Sequence, residues 1–264
     1  MAPDDSWAEL ADKFVGGHYG SLRGRVRTHV IDRQLRWHLP PPPAELVDIG
    51  GGAGHQALPL ARDGYRVTLV DPSPTMLQRA HGQIAAEADE VAARIRLVEG
   101  SGETAPELLD GQRFAGVLCH GVLMYLEKPE AMVAALAELA APGAIVSVVA
   151  KNARTLAARP ALAGDWEAAL AAFDADRQVN GLGLDTRGDT VEDLEALLQA
   201  QRLNPVAWYG VRLFTDGWAQ NLPSEDATDD LLAVELEASR RDPYRQLSRL
   251  FHLVAKRPGR PAAE

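Results

Sequence analysis

The sequence predicts an α/β fold on a mostly parallel seven-stranded sheet, flanked by helices and finished by an antiparallel edge strand. From residue 44 to residue 150 short β-rich runs alternate with segments of helical period, which is the rhythm of a parallel sheet. The runs VDI, VTLV, VLC and IVSVV are apolar at consecutive positions, as strands covered on both faces by helices must be. Two further β-rich runs near the C-terminus are separated by a helical segment and complete the sheet as a hairpin-like edge.

Taken in order, SWAELADKF and the stretch from about Arg23 to His38 read as two helices joined by the turn-forming GGHYGS. The run Pro40 to Pro43 ends them, since proline cannot continue a helix, so residues 1–43 read as a helical cap ahead of the main domain, 44–264. Strands follow at AELVDIG, RVTLVD, RIRLVEG, RFAGVLCH and GAIVSVVA, with helices at HQALPLARDG, SPTMLQRAHGQIAAEADEVAA and KPEAMVAALAELAAPG. Asp63-Gly64 and Pro142-Gly143 mark helix stops. Residues 152–190 read as an insertion or lid with one helical piece, DWEAALAAF, and an irregular Gly/Asp-rich NGLGLDTRGD. The chain then runs helix VEDLEALLQAQRL, strand PVAWYGVRLF, helix DATDDLLAVELEASR and strand LSRLFHLVAKR. The first five and last eight residues lack apolar periodicity and read as frayed ends.

With 264 residues, 46% of them apolar, the chain can bury a sizeable core. Cys119 is the only cysteine, which excludes an internal disulfide and any thiol cluster for a metal and points to a reducing compartment. No stretch approaches the ~20 apolar residues of a membrane span, and the acidic start lacks the order of a secretory signal, so a cytoplasmic location is expected. The net charge of −10 excludes nucleic-acid binding by an overall positive field. Arginines do crowd two stretches, Arg23, Arg25, Arg27, Arg33 and Arg36, then Arg240, Arg241, Arg245 and Arg249. Both read as solvated helix faces with acidic neighbours, though a local basic face for RNA stays open.

The feature richest in chemistry is Val47-Asp48-Ile49-Gly50-Gly51-Gly52-Ala53-Gly54, where the first strand meets the first helix. Glycines there let the backbone turn and approach a nucleotide-like ligand lying across the strand ends. The dinucleotide fingerprint GxGxxG would place its third glycine where His55 stands. Asp48, moreover, suits a cationic ammonium and would repel a pyrophosphate, which favours a methionine-type cofactor, S-adenosylmethionine, over a nicotinamide one. Asp71, ending the second strand, can accept both ribose hydroxyls; its alternative use as a helix cap is better served by Ser73. Pro72 follows it, and Met76 can lie against an adenine or belong to the core. Gly102 and Glu103 occupy the turn after the third strand, beside the adenine edge. His120, after the fourth, either faces the methionine end of the cleft or is a histidine satisfied by backbone.

With D-I-G-G-G-A-G, D-P-S and the post-strand turn in this order, the chain resembles the class I S-adenosylmethionine-dependent methyltransferases, whose sheet is Rossmann-like. DKFVGGHYGSLRGRVR, VVAKNARTL, YGVRLFTD and ELEASRRDPYRQLSRLFHLVAKR resemble the bacterial tRNA 5-carboxymethoxyuridine methyltransferase family, a likeness over almost the whole chain. The resemblance implies methyl esterification of the carboxylate on a wobble uridine. A carboxylate with a pKa near ~4 is already ionised at neutral pH, so in-line transfer needs positioning and no general base, and no catalytic residue beyond positioning is expected. It also implies that Arg212, whose alternative reading is a strand-end surface arginine, partners the acceptor carboxylate, followed by Arg25 and Tyr19, with Lys13 and Asn152 lining the cleft. The family's lysine-rich run in the insertion is replaced here by FDADRQVNGLGLDTRGD; Asp174, Asp176, Asp185 and Asp189 weaken attraction to phosphate at that face. A small-molecule acid is therefore the alternative acceptor. A silent cofactor-binding protein is a third reading, against which the intact Asp48, glycine bend and Asp71 count.

Overall fold

The computed structural model describes residues 21–217 and 228–259. The expected helix over SWAELADKF, the GGHYGS turn up to Gly20 and the residues Lys13 and Tyr19 lie outside the described residues. In chain order the helices and strands are α1 (Leu22–Arg36), β1 (Glu45–Ile49), α2 (Ala57–Arg62), β2 (Arg66–Asp71), α3 (Pro74–Ile84), α4 (Asp89–Ala92), β3 (Ile95–Glu99), α5 (Ala105–Leu108) and β4 (Phe114–His120). They continue as α6 (Glu130–Leu139), β5 (Ala140–Lys151), α7 (Ala158–Leu162), α8 (Trp166–Ala172), β6 (Arg177–Val179), β7 (Asp185–Arg187) and α9 (Val191–Ala200). The last are β8 (Asn204–Val211), α10 (Phe214–Gly217), α11 (Thr228–Ala238) and β9 (Leu250–Lys256).

Seven strands form one sheet in the order β3-β2-β1-β4-β5-β9-β8. The first five are mutually parallel, and β9 runs antiparallel between β5 and the edge strand β8. The hairpin-like edge expected from the sequence is thus present, with the reversed strand one place inside it. The order reverses between β1 and β4, so a crevice opens beyond their carboxyl ends, where open α/β sheets bind ligands.

The consecutive apolar positions of the central strands divide between two cores. Val47, Ile49, Val117, Val146 and Val148 pack with Leu136 of α6 and Leu194 and Leu198 of α9. Leu46, Leu69, Leu118, Ile145 and Val149 pack on the other face with Ile31 and Leu35 of α1, Leu58 and Leu60 of α2 and Ala80 of α3. Alternation along each strand sends neighbours to opposite layers. Ser21 caps α1 and Ser73 caps α3, each side-chain oxygen accepting a backbone N–H at 3.2 Å. The long helix read over residues 73–93 is two helices, broken after Ile84. In the insertion, NGLGLDTRGD is ordered as part of a two-stranded antiparallel hairpin, β6–β7, and a second helix, α7, precedes α8.

Candidate active site

The crevice is walled by the bend after β1, the ends of β2 and β4, and the turns that follow β3 and β4. Ile49, Gly50, Gly51, Gly52, Asp71, Pro72, Met76, Gly102, Glu103 and His120 all line it. Nine of the residues expected to hold a cofactor are therefore gathered around one cleft: three glycines, then Asp71, Pro72, Met76, Gly102, Glu103 and His120. Sequence reasoning had no signal for Val122, Tyr125, Leu126 and Met132, which supply its apolar wall.

The bend is held from below. Gly50 donates to Val70 O at 2.8 Å, and Gly52, at φ +57°, donates to Asp71 Oδ2 at 2.8 Å. Asp71 Oδ1 accepts from Ser73 N at 3.0 Å, so one carboxylate ties the glycine bend to the start of α3 while still facing the cleft. A side chain on Gly51 would place its Cβ 2.6 Å from Leu69 Cγ and 2.9 Å from Asp48 Oδ2, so glycine is required there by close approach.

Asp48 itself lies under the bend. It is 2% exposed, Oδ2 has no hydrogen-bond partner among the described residues, and burial pushes its carboxyl up to about 7. Arg27 opposes that rise and Asp71 adds to it. Asp48 does not line the cleft. Gly54 does not line the cleft either; it faces Ala80 and Leu69, and its φ of +82° is what calls for glycine.

His120 is 9% exposed, and its Nε2 meets Ser147 Oγ at 2.8 Å while Nδ1 has no partner among the described residues. Burial, with His252 and Arg27 nearby, lowers its pKa well below the ordinary histidine value, so the ring is neutral. This removes the alternative of a histidine satisfied by backbone. Arg27, read from the sequence as part of a solvated run, is instead 5% exposed and donates from Nη2 to His120 O at 3.2 Å. The available signal was its spacing: residues 27, 31 and 34 share the buried face of α1.

The acceptor-side residues are dispersed. Arg25 is exposed on α1 and does not line the cleft, because the helix turns its inner face through Val26 and Arg27. Asn152 is 6% exposed and engaged internally: Nδ2 donates to Gln246 O and Ser248 O, and Oδ1 accepts from Arg154 N. Arg212 follows β8, whose carboxyl end points the same way as that of β4. It is 8% exposed, sits at φ +63°, pairs with Asp216 at 2.5 Å and keeps Nε unpartnered among the described residues. A non-glycine residue held left-handed at a strand end is stored strain of roughly 1–2 kcal/mol.

The acidic insertion is partly neutralised by its own arginines, Asp185 with Arg177 at 2.5 Å and Asp189 with Arg187 at 2.8 Å. The arginines of the C-terminal run are likewise occupied: Arg240 and Arg241 pair with Glu237, Arg245 pairs with Asp242, and Arg249 donates to Gln178 Oε1 at 2.8 Å. No helix among the described residues is long and apolar enough to cross a membrane.

Residues 47–146 match a methyltransferase domain family. The chain is 27% identical over 259 residues, 97% of either chain, to tRNA 5-carboxymethoxyuridine methyltransferase of Escherichia coli (strain K12). It is 31% identical over 131 residues, half of each chain, to ubiquinone biosynthesis O-methyltransferase of Methylobacterium nodulans. Among solved structures, magnesium protoporphyrin IX methyltransferase from Synechocystis PCC 6803 superposes with a TM-score of 0.62 at 15% identity, covering 96% of this chain and 97% of that one. A Haloferax volcanii putative methyltransferase complexed with the Trm112 activator gives a TM-score of 0.62 at 16% identity, covering 98% and 97%; both likenesses bear on the fold.

The fold, the glycine-lined cleft and the matched domain define an S-adenosylmethionine-dependent methyltransferase. Within that class, the tRNA 5-carboxymethoxyuridine methyltransferase of Escherichia coli is similar to it from end to end.

Proposed function

We propose that the enzyme methylates a carboxylate, that of a carboxymethoxy group on a wobble uridine in tRNA. The observation that carries the reading is the reach of the similarity. The methyltransferase domain match stops at residue 146, whereas the likeness to the tRNA enzyme extends over 97% of the chain. It therefore includes the insertion and the β8–β9 edge, which lie outside the cofactor half of the sheet.

The residues present suit the cofactor. A bend free of Cβ atoms lies over a buried carboxylate with one oxygen unpartnered among the described residues, and the neutral imidazole of His120, whose Nδ1 likewise has no partner among them, lines the same cleft. S-adenosylmethionine, when bound, supplies an electrophilic sulfonium methyl group. The chain's own part is binding and orientation. Asp71 offers acceptor oxygens to ribose hydroxyls, Arg27 brings a buried cation to the end of β4 where a cofactor carboxylate can be held, and the wall of Val122, Leu126 and Met132 excludes water. Arg212 grips the acceptor carboxylate through its unpartnered Nε edge. An ionised carboxylate is already a nucleophile, so no group on the protein has to remove a proton.

The test is incubation with labelled cofactor and either tRNA bearing carboxymethoxyuridine or a panel of small acids, followed by mass spectrometry of the nucleosides. The methyl ester of the modified uridine is the expected product. Transfer to small acids with none to that tRNA would support the second reading, a metabolite carboxyl methyltransferase, which the net charge of −10 favours.

A further inference from the structure

A buried polar row crosses the sheet beneath α1. His120 of β4, Ser147 of β5 and His252 of β9 lie on the sheet face that α1 covers, with Leu118, Val149 and Val254 as apolar neighbours on that face. His120 Nε2 meets Ser147 Oγ at 2.8 Å, and Ser147 Oγ meets His252 Nε2 at 2.7 Å. His252 Nδ1 then meets Gln34 Oε1 at 2.8 Å, and Gln34 Nε2 donates to Gly210 O of β8 at 3.0 Å. Ser147, His252 and Gln34 are each 0% exposed, so every proton in the row must be placed.

With both buried rings neutral, only one placement satisfies all of it. The Gly210 carbonyl can only accept, which orients the Gln34 amide with its oxygen toward His252. His252 must then carry its proton on Nδ1, leaving Nε2 as an acceptor. The Ser147 hydroxyl donates to that nitrogen, and its oxygen accepts from His120. His120 therefore carries its proton on Nε2, and Nδ1, with no partner among the described residues, presents a lone pair.

We infer that Gln34, His252 and Ser147 are positioning residues that lock His120 as a neutral hydrogen-bond acceptor for the ammonium group of the cofactor. The assignment rests on reading His120 as a contact at the methionine end of the cleft. Burial keeps both rings from protonating: His252 is lowered to about 3 and His120 well below its ordinary value. A neutral acceptor whose orientation is set by packed strands receives a cation without repelling it.

The proton pattern is measurable without a ligand, by ¹⁵N NMR of the histidine side chains in the whole protein. Protonated Nε2 on His120 and protonated Nδ1 on His252 are expected, and the opposite tautomer on either ring overturns the inference. Gln34→Leu, three groups away from the cleft, removes the acceptor for His252. His252 can then move its proton to Nε2, the hydroxyl of Ser147 turns, and the His120 proton passes to Nδ1. S-adenosylhomocysteine should bind about tenfold more weakly to this variant, while its deaminated analogue keeps its affinity. Ser147→Ala should behave alike, with Ser147→Thr restoring affinity. If His120→Ala weakens S-adenosylhomocysteine but Gln34→Leu and Ser147→Ala do not, the relay is rejected and the contact stands. If His120→Ala itself binds normally, the contact reading fails instead.

Discussion

Replacing Asp71 by alanine removes two hydrogen bonds the structure shows and a third contact, to ribose, that the proposed function gives the same carboxylate. Its oxygens accept the Gly52 N–H at 2.8 Å and the Ser73 N–H at 3.0 Å, and the residue is 7% exposed. Two backbone donors at a largely buried turn would be stranded, each costing ~1–3 kcal/mol, so the free enzyme should lose roughly 2–6 kcal/mol of stability. The third loss appears on binding. Two ribose hydroxyls giving up an ionised acceptor forfeit about 3 kcal/mol together, or ~10²-fold in affinity for S-adenosylhomocysteine. Calorimetric titration alone does not separate a collapsed bend from a missing ribose acceptor, but a cycle with 2′- and 3′-deoxy analogues does. Wild-type protein should discriminate against each deoxy analogue, and Asp71→Ala should not. If the variant discriminates as well as the wild type, Asp71 holds the bend and does not read the ribose.

Three further outcomes follow from the geometry. Burial raises the Asp48 carboxyl from 3.8 to about 7, against the pull of Arg27; the folded chain thus holds an extra proton between those values, and stability falls as pH rises through that window. Asp48→Asn should flatten the dependence in denaturant titrations at pH 5 and pH 8, and an unchanged slope would remove Asp48 as its source. Arg212→Lys keeps a charge beside Asp216 but loses the planar fork. It should lower kcat/KM for the acceptor at least about tenfold with affinity for S-adenosylhomocysteine nearly constant, whereas a parallel loss of both would place Arg212 in the cofactor's half. Cys119 is buried and burial raises its thiol well above the ordinary value, so alkylation by iodoacetamide should track global unfolding; rapid labelling of the native protein would contradict that packing.

The sheet was legible because burial on both faces leaves a mark that needs no context: VTLV and IVSVV carry apolar residues toward both layers. The glycine bend was legible because its three cleft-lining glycines follow Asp48 almost directly, and Asp71 closes the very next strand. The hairpin β6–β7 was not, because three-residue strands carry no alternation; Asn180-Gly181 was its available turn signal. The acceptor side was hardest to read. Arg25 and Asn152 were chosen by resemblance, and the structure turns one to solvent and spends the other on backbone carbonyls.

What the sequence did display, unread, was polarity in the wrong register. Ser147 interrupts IVSVV, His252 interrupts LFHLV, and Arg27 and Gln34 fall on the apolar stripe of α1. A polar side chain in a buried register must find a partner or be expelled. Four such positions on α1, β5 and β9, elements adjacent only in space, converge on one strand end, that of His120. Out-of-register polarity therefore points to the site from parts of the chain that hold no glycine motif, and it does so for a reason that local propensity cannot supply: the partners are chosen by the sheet order, which places β5 between β4 and β9.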